Sequence, residues 1–143
     1  MGVTIRLGRC ALVCFGVAAA AVGASAQTQG DGGRSVASGV YTAEQAAQGE
    51  TVFKNVCANC HATSQFAGTA FLKQWAGRAV FSLYDQIRTS MPQDNPGGLS
   101  RAEYLAVTTY ILKLNSFPPG TTALPDDEAA LKQIRFETPP GSN

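Results

Sequence analysis

Apolar residues recur at helical spacing in several stretches of the chain. The first stretch begins after Thr42 and runs into Cys57. Gln45 follows Thr42 at the spacing of a capping box, in which two side chains satisfy the free backbone N–H groups at a helix start. An amphipathic helix is therefore predicted between Thr42 and Cys57. Its apolar face would carry Ala46, Gly49, Val52, Phe53 and Val56.

A second helix is predicted over residues 79–90. It ends there because Pro92 disfavours helical geometry at the residue before it. That residue is Met91, which is expected just beyond the helix in an extended conformation, with its side chain held in a defined direction. The apolar side of this helix would carry Val80, Leu83, Tyr84 and Ile87.

A third helix is predicted from a second capping box, formed by Ser100 and Glu103, to about Leu114. A short last helix is predicted to begin at Pro125, which suits the first helical position, with acidic residues 126–128 at its positive end. The chain shows no alternating strand pattern of useful length and no internal repeat. The predicted fold class is all-α.

The first 26 residues are predicted to be a secretory signal peptide that is removed from the mature protein. Arg6 and Arg9 give a positive start, residues 10–23 are apolar, and residues 24–26 have the small-x-small form of a cleavage site. The alternative is an uncleaved anchor. Its apolar run would have only 14 residues, whereas a spanning helix needs ~20. We expect export, with no stable membrane insertion after cleavage.

Composition divides the exported chain into three parts. Residues 27–40 are mostly small and polar and are expected to form a flexible leader. Residues 41–114 hold the main predicted helices and form the expected domain. Residues 115–143 are expected to be a C-terminal extension with the short helix and a disordered tail. Because so small a domain rarely folds on its side-chain core alone, a buried cofactor would supply apolar volume.

The charge balance disfavours nucleic acid as a partner. Without Arg6 and Arg9, nine basic residues stand against ten acidic ones, which gives a formal charge of −1. No two Lys or Arg residues are adjacent, whereas phosphate binding depends on clustered cations. Strong electrostatic steering toward an acidic protein is not expected either.

The segment Cys57-Ala58-Asn59-Cys60-His61 has the C-x-x-C-H spacing of a c-type haem attachment motif. On a helical turn Cys57, Cys60 and His61 share one face, with Cβ atoms about 5–6 Å apart. Two thiols on such a face can bond the two vinyl groups at one edge of a porphyrin, and the imidazole beside them can bind the iron. The motif therefore predicts one covalently attached haem c with its iron.

A second iron ligand is suggested by a census of residue types. His61 is the only histidine of the chain, and Met91 is the only methionine after residue 26. Met91 lies 30 residues after His61 and directly before a proline, and a His/Met pair is a recurrent axial ligand set for haem. The alternative is that Met91 only fills space in the core, as methionine often does.

The same cysteines and histidine allow two other interpretations. A structural zinc site needs four ligands, but Cys57, Cys60 and His61 are the only Cys and His residues after residue 26. A redox-active dithiol is expected in a βαβ context, whereas the flanking segments here are helical. The motif and its surroundings favour haem.

The order of these elements resembles the class I (mono-haem) cytochrome c family over about residues 41–114. The most specific points of resemblance are the motif at residues 57–61 and the Ser-Met-Pro sequence at residues 90–92. A narrower resemblance links the chain to small bacterial periplasmic cytochromes associated with dehydrogenases. It is carried by Phe71-Leu72, Trp75, Gly77-Arg78 and residues 88–92.

The resemblance implies a small helical domain wrapped around one covalently attached haem. Gly49 and Phe53 in the first helix and Tyr110 in the last resemble the family's contact between these two helices. Trp75 and Arg78 are candidates to bind a haem propionate through the indole N–H and the guanidinium. The alternative for this pair is a core aromatic residue beside a solvated charge.

The chain departs from the family at one point. A proline soon after the haem motif usually presents its carbonyl to the ligand histidine, but no proline lies between His61 and Met91. A metal-bound imidazole normally donates its other N–H to some acceptor, so we expect a backbone carbonyl between Phe66 and Ala70 in this role. The short segment 62–70 also suggests a trimmed haem crevice.

The expected function is electron transfer and not catalysis. A periplasmic one-electron carrier with both axial positions filled would shuttle electrons between redox partner proteins. The family resemblance implies a periplasmic dehydrogenase as donor and an oxidase or respiratory complex as acceptor, with the chain a monomer or a dehydrogenase subunit. The alternative is a haem-based ligand sensor or peroxidase-type module in which Met91 leaves the sixth iron position open.

Overall fold

The computed structural model describes residues 1–2 and 33–137. The fold below is that of the compact unit that contains residues 33–137. Apart from its first two residues, the predicted signal peptide lies outside the described residues. The predicted tail at residues 138–143 also lies outside them.

Helices make up most of the described part of the chain, and the all-α prediction is confirmed. A two-residue parallel strand pair joins β1 (Arg34–Ser35) to β2 (Ile134–Arg135). Short 3-10 helices lie at Val36–Ser38, Cys57–Asn59 and Thr63–Phe66. The α-helices are α1 (Ala43–Asn55), α2 (Thr69–Trp75), α3 (Val80–Ser90), α4 (Arg101–Leu114) and α5 (Glu128–Lys132).

Helix α1 begins at the predicted position but makes only half of the predicted capping box. The hydroxyl oxygen of Thr42 accepts a hydrogen bond from the backbone N–H of Gln45 at 3.2 Å. The Gln45 side chain does not reach back to Thr42. It binds the backbone of Leu124 instead, accepting from its N–H at 2.8 Å and donating to its C=O at 3.2 Å. Gln45 therefore ties the C-terminal extension to α1.

Helices α1 and α4 cross in close contact, as the resemblance implies. A Cβ atom at Gly49 would overlap the backbone carbonyl of Ala106, so only glycine allows this approach. One turn further on, the ring centroids of Phe53 and Tyr110 lie 5.4 Å apart. This crossing fixes the end of α1, and with it the start of the Cys57 motif, relative to α4.

The third predicted helix is confirmed together with its capping box. The hydroxyl oxygen of Ser100 accepts from the backbone N–H of Glu103 at 3.3 Å, and a carboxylate oxygen of Glu103 accepts from the N–H of Ser100 at 2.8 Å. Helix α3 runs from Val80 to Ser90, one residue shorter than predicted. Both helices therefore follow their local sequence signals.

Two short helices differ from the predictions. The sequence pattern does not predict α2, because seven residues are too few to show a clear periodicity. It follows Gly68, whose φ of +86° suits glycine. The last helix begins at Glu128 and not at Pro125. Asp127 is its N-cap, with a side-chain oxygen that accepts from the N–H of Ala130 at 2.8 Å.

The prediction of a flexible leader at residues 27–40 is wrong for residues 34–40. Strand β1 pairs with β2, and the side chains of Val36 and Val40 are 0% and 1% exposed. They belong to the same apolar cluster as Leu131 and Phe136. The composition of this segment predicted flexibility because the strand that pairs with it lies about one hundred residues away in the chain and leaves no sign in the local sequence.

The C-terminal extension also belongs to the core of the domain and is not an appendage. The backbone of Phe136 exchanges hydrogen bonds with the loop after α2, accepting from Gly77 N–H at 3.1 Å and donating to the Arg78 carbonyl at 3.0 Å. Its ring lies 6.0 Å from that of Trp75. The packed unit therefore extends beyond the predicted boundaries of 41–114 at both ends.

Candidate functional site

The four predicted cofactor and metal ligands line one cavity. Cys57 and Cys60, His61, and Met91 all contribute to the wall of a space of about 1110 Å³ between the motif, α3 and α4. His61 and Met91, which lie 30 positions apart in the sequence, are thus brought to one site. The rest of the wall is mainly apolar, including Phe53, Phe66, Phe71, Leu83, Ile87 and Ile111.

The Cys57 motif follows α1 as a tight turn. Residues 57–59 form a 3-10 helix, and the N–H groups of Cys60 and His61 both donate to the Cys57 carbonyl, at 3.1 and 2.9 Å. The bond from His61 spans four residues, as in an α-helix. The chain therefore keeps the helical phase that places both sulfurs and the imidazole at the cavity.

The electrostatic setting of the thiols differs from that of a redox dithiol. Cys57 and Cys60 are free, the first half-buried and the second exposed. Burial raises the pKa of the Cys57 thiol above its ordinary value. Reactive thiols in Cys-x-x-Cys redox motifs have lowered pKa values, so the environment of Cys57 does not favour thiol–disulfide exchange.

The imidazole of His61 is oriented by the two residues at the end of the Thr63–Phe66 turn. Its Nδ1 lies 3.0 Å from the side-chain oxygen Oε1 of Gln65. Its ring packs against the ring of Phe66 at a centroid distance of 5.3 Å and an interplanar angle of 71°. Because an amide oxygen only accepts, this contact is a hydrogen bond in the tautomer that carries the proton on Nδ1, and that tautomer has its lone pair on Nε2.

The acceptor for His61 therefore differs from the expected one. A backbone carbonyl between Phe66 and Ala70 was the expectation, whereas the structure presents the side chain of Gln65. The carbonyl of Phe66 accepts a hydrogen bond from the side-chain amide of Asn115 at 2.7 Å. The spacing of four residues between His61 and Gln65 was the available sequence signal.

Met91 lies just beyond the end of α3, as the proline that follows it predicts. It caps α3 with φ −129° and ψ 152°, an extended conformation, and its N–H donates to the Ile87 carbonyl at 2.9 Å. Its carbonyl accepts from the hydroxyl of Tyr104 at 2.7 Å, and the same hydroxyl accepts from Leu99 N–H at 3.3 Å. Met91 and Leu99, the two ends of the segment that we call the methionine loop, are therefore both attached to α4.

Trp75 and Arg78 occupy different positions relative to the cavity. Trp75 is 2% exposed and forms part of the cavity wall. Arg78 is exposed, and its guanidinium carbon lies 4.3 Å from the centre of the Trp75 ring. It is not among the residues that line the cavity. Their role in binding a propionate stays a prediction.

Sequence reasoning missed three polar residues at this site. Gln65, Tyr104 and Asn115 are not among the predicted site residues. Tyr104 is 1% exposed, but its hydroxyl holds the methionine loop. Asn115 binds both Phe66 and Gly68, which fixes the turn that carries Gln65.

A comparison with family models agrees with this arrangement. Residues 44–111 match the family described as cytochrome c oxidase, cbb3-type, subunit III. Residues 44–111 belong to the cytochrome c family. The predicted family and fold are thus confirmed for this segment, which we call the cytochrome domain. No curated protein and no solved structure matches the chain.

The residues of the cytochrome domain fit a covalently bound haem c, the cofactor that the family implies. Its cavity is as large as the upper range of small-molecule sites, about 300–1,000 Å³, and mainly apolar. Two thiols, an imidazole and a thioether line it. Within the described residues no group of three or more His, Cys, Asp or Glu side chains could hold a metal ion.

The described part of the chain also bears on membrane contact. None of its helices combines the length and the apolar character that crossing a bilayer requires. The longest of those helices, α4, has 14 residues, about 21 Å at 1.5 Å per residue.

Proposed function

We propose that this chain is a periplasmic one-electron carrier with one haem c bound through Cys57 and Cys60 and ligated by His61 and Met91. The observation that carries the proposal is the presence of all four side chains on the wall of one cavity. When bound, the haem would supply a reversible Fe(III)/Fe(II) couple. Periplasmic location rests on the predicted signal peptide.

The arrangement of the protein ligands favours electron transfer over catalysis. With the imidazole of His61 and the thioether of Met91 both engaged, no coordination position is left for a substrate. The thioether favours the ferrous state and raises the reduction potential. The mainly apolar cavity wall would limit the access of water to a bound haem, which would keep the reorganisation on electron exchange small.

The proposed partners are a periplasmic dehydrogenase as electron donor and an oxidase or respiratory complex as acceptor. Residues 55–72, which contain the motif, include no Asp, Glu, Lys or Arg, so docking of a partner at this segment would rest on apolar and neutral polar contacts. Electron-transfer contacts typically bury less than ~1,200 Å². The chain would act as a monomer or as the cytochrome subunit of a dehydrogenase.

The proposal is tested by expression with the export and haem-ligation machinery. The mature protein, denatured, should carry the mass of one haem in addition to the polypeptide. The ferric form should show a sulfur-to-iron band in the far red, and the ferrous form should not bind carbon monoxide. A bare polypeptide mass would overturn haem attachment. Ready carbon monoxide binding would instead favour the sensor or peroxidase-type module.

A further inference from the structure

We propose that the side chain of Gln65 accepts the Nδ1–H of His61 and thereby sets the orientation and basicity of the iron-binding imidazole. This inference rests on the proposed function, and it names the residue that tunes the reduction potential of the bound haem. Gln65 is a positioning residue, since it acts on the metal only through His61.

The local geometry supports this role directly. Oε1 of Gln65 lies 3.0 Å from Nδ1 of His61, within the normal range for a hydrogen bond. The two residues are four positions apart and are joined by the Thr63–Phe66 turn. The Phe66 ring contacts the imidazole edge-on at the same time. The imidazole of His61 therefore has one polar and one apolar contact that hold its orientation.

The turn that carries Gln65 is itself fixed by α4. The side chain of Asn115, the residue that caps α4, donates to the Phe66 carbonyl at 2.7 Å and accepts from Gly68 N–H at 3.1 Å. The Gly68 carbonyl accepts from Leu72 N–H at 3.0 Å. The carbonyls of Phe66 and Gly68, at the start and in the middle of the expected acceptor segment, thus have donors other than His61, and Gln65 takes the place that a backbone carbonyl would occupy.

The chemical consequence follows from the strength of the acceptor. A hydrogen bond to the second imidazole nitrogen raises the basicity of the metal-bound one and fixes its orientation. A more basic imidazole favours Fe(III), so a stronger acceptor should lower the reduction potential and removal of the acceptor should raise it. As a hydrogen-bond acceptor, a neutral amide oxygen is weaker than a carboxylate, whereas an apolar side chain accepts no hydrogen bond at all.

The test compares Gln65→Leu and Gln65→Glu in the haem-loaded, full-length mature protein. Gln65 is exposed, so both variants should fold. The potential of Gln65→Leu should rise and that of Gln65→Glu should fall, with a change of up to about tenfold in the Fe(III)/Fe(II) equilibrium constant, or 59 mV for one electron. In the reduced protein, NMR should show faster solvent exchange of the Nδ1–H in Gln65→Leu.

Ser64→Leu is the matched control, because Ser64 is exposed on the same turn and does not line the cavity. Its potential should stay at the wild-type value. Gln65→Leu and Gln65→Glu potentials that match the control, with covalent haem and the far-red band retained, would overturn the role of Gln65 while leaving the proposed function intact. Absence of haem from the wild-type protein would instead remove the proposed function.

Discussion

The hydroxyl of Tyr104 donates a hydrogen bond to the backbone carbonyl of Met91 at 2.7 Å. Tyr104 lies in the first turn of α4, and α4 crosses α1 at Gly49. Since α1 leads into the Cys57 motif, both proposed iron ligands are positioned by the same helix. The distance between them is therefore a property of the packing between α1 and α4, and not of the loops alone.

Loss of the Tyr104 hydroxyl should loosen the methionine loop. Tyr104→Phe should lower the free energy of unfolding by about 1–3 kcal/mol, because the hydroxyl makes two hydrogen bonds and each has a usual net value of about 0.5–1.5 kcal/mol. The reduced haem protein, which in the wild type should not bind carbon monoxide, should also begin to bind it, because Met91 dissociates more readily. Denaturant titration and stopped-flow mixing measure the two effects.

Tyr84→Phe is the control for this effect. The Tyr84 hydroxyl is buried and has no hydrogen-bond partner among residues 33–137, so its removal should be neutral or slightly stabilising. Equal effects of the two substitutions on carbon monoxide binding would contradict a specific role for Tyr104.

Replacement of Met91 should separate its packing role from its ligand role. Met91→Leu conserves the volume and removes the sulfur, so the stability cost from packing should stay below about 1.5 kcal/mol. The covalent haem should remain, the reduction potential should fall, and the iron should become open to exogenous ligands. Met91→Ala should give the same spectroscopic changes with a larger loss of stability. An unchanged potential in both variants would show that Met91 only fills space.

Gly49→Ala should destabilise the domain although alanine is the better helix former. Helix propensity alone would favour alanine by up to about 1 kcal/mol. The added Cβ would overlap the Ala106 carbonyl, and overpacking of this kind typically costs about 1–3 kcal/mol. Thermal unfolding should therefore show a lower midpoint. Gln48→Ala, at the exposed neighbouring position, should change stability by no more than about 0.5 kcal/mol.

The charge of Glu50 should make part of the stability pH-dependent. Hydrogen bonds from Lys54 and Lys113, with their positive charges, hold the pKa of the Glu50 carboxyl below its ordinary value of 4.5. A depressed folded-state pKa contributes stability that is present above the unfolded-state pKa and is lost as the pH falls through the folded-state value. Wild type should therefore exceed Glu50→Gln in stability at neutral pH and approach it in acid.

Urea titrations at neutral and acid pH, each at low and high salt, measure this difference. High salt should shrink it, because both lysine side chains are more than half exposed. Lys113→Met should remove only the part that joins α1 to α4. A difference between wild type and Glu50→Gln that does not change with pH would refute the electrostatic origin.

The sequence predicted those elements whose cause is local. The Ser100–Glu103 capping box, the stop of α3 before Pro92 and the extended Met91 each depend on neighbours within a few positions, and the structure has all three. The spacing of Cys57, Cys60 and His61 already required a shared face. Recognition of the cytochrome domain followed from these local signals.

The order of the helices, the attachment motif and the residue types available as ligands are therefore properties of the local sequence. Which polar groups support the ligands depends on tertiary contacts. Tyr104 and Asn115 acquire their partners through packing of α4 against distant turns. Gln65 lies only four residues from His61, but the turn that carries it is fixed by Asn115. The same holds for residues 34–40, which look disordered in composition but are buried against Leu131 and Phe136. Burial depends on contacts between segments far apart in the chain, and a local pattern contains no information about them.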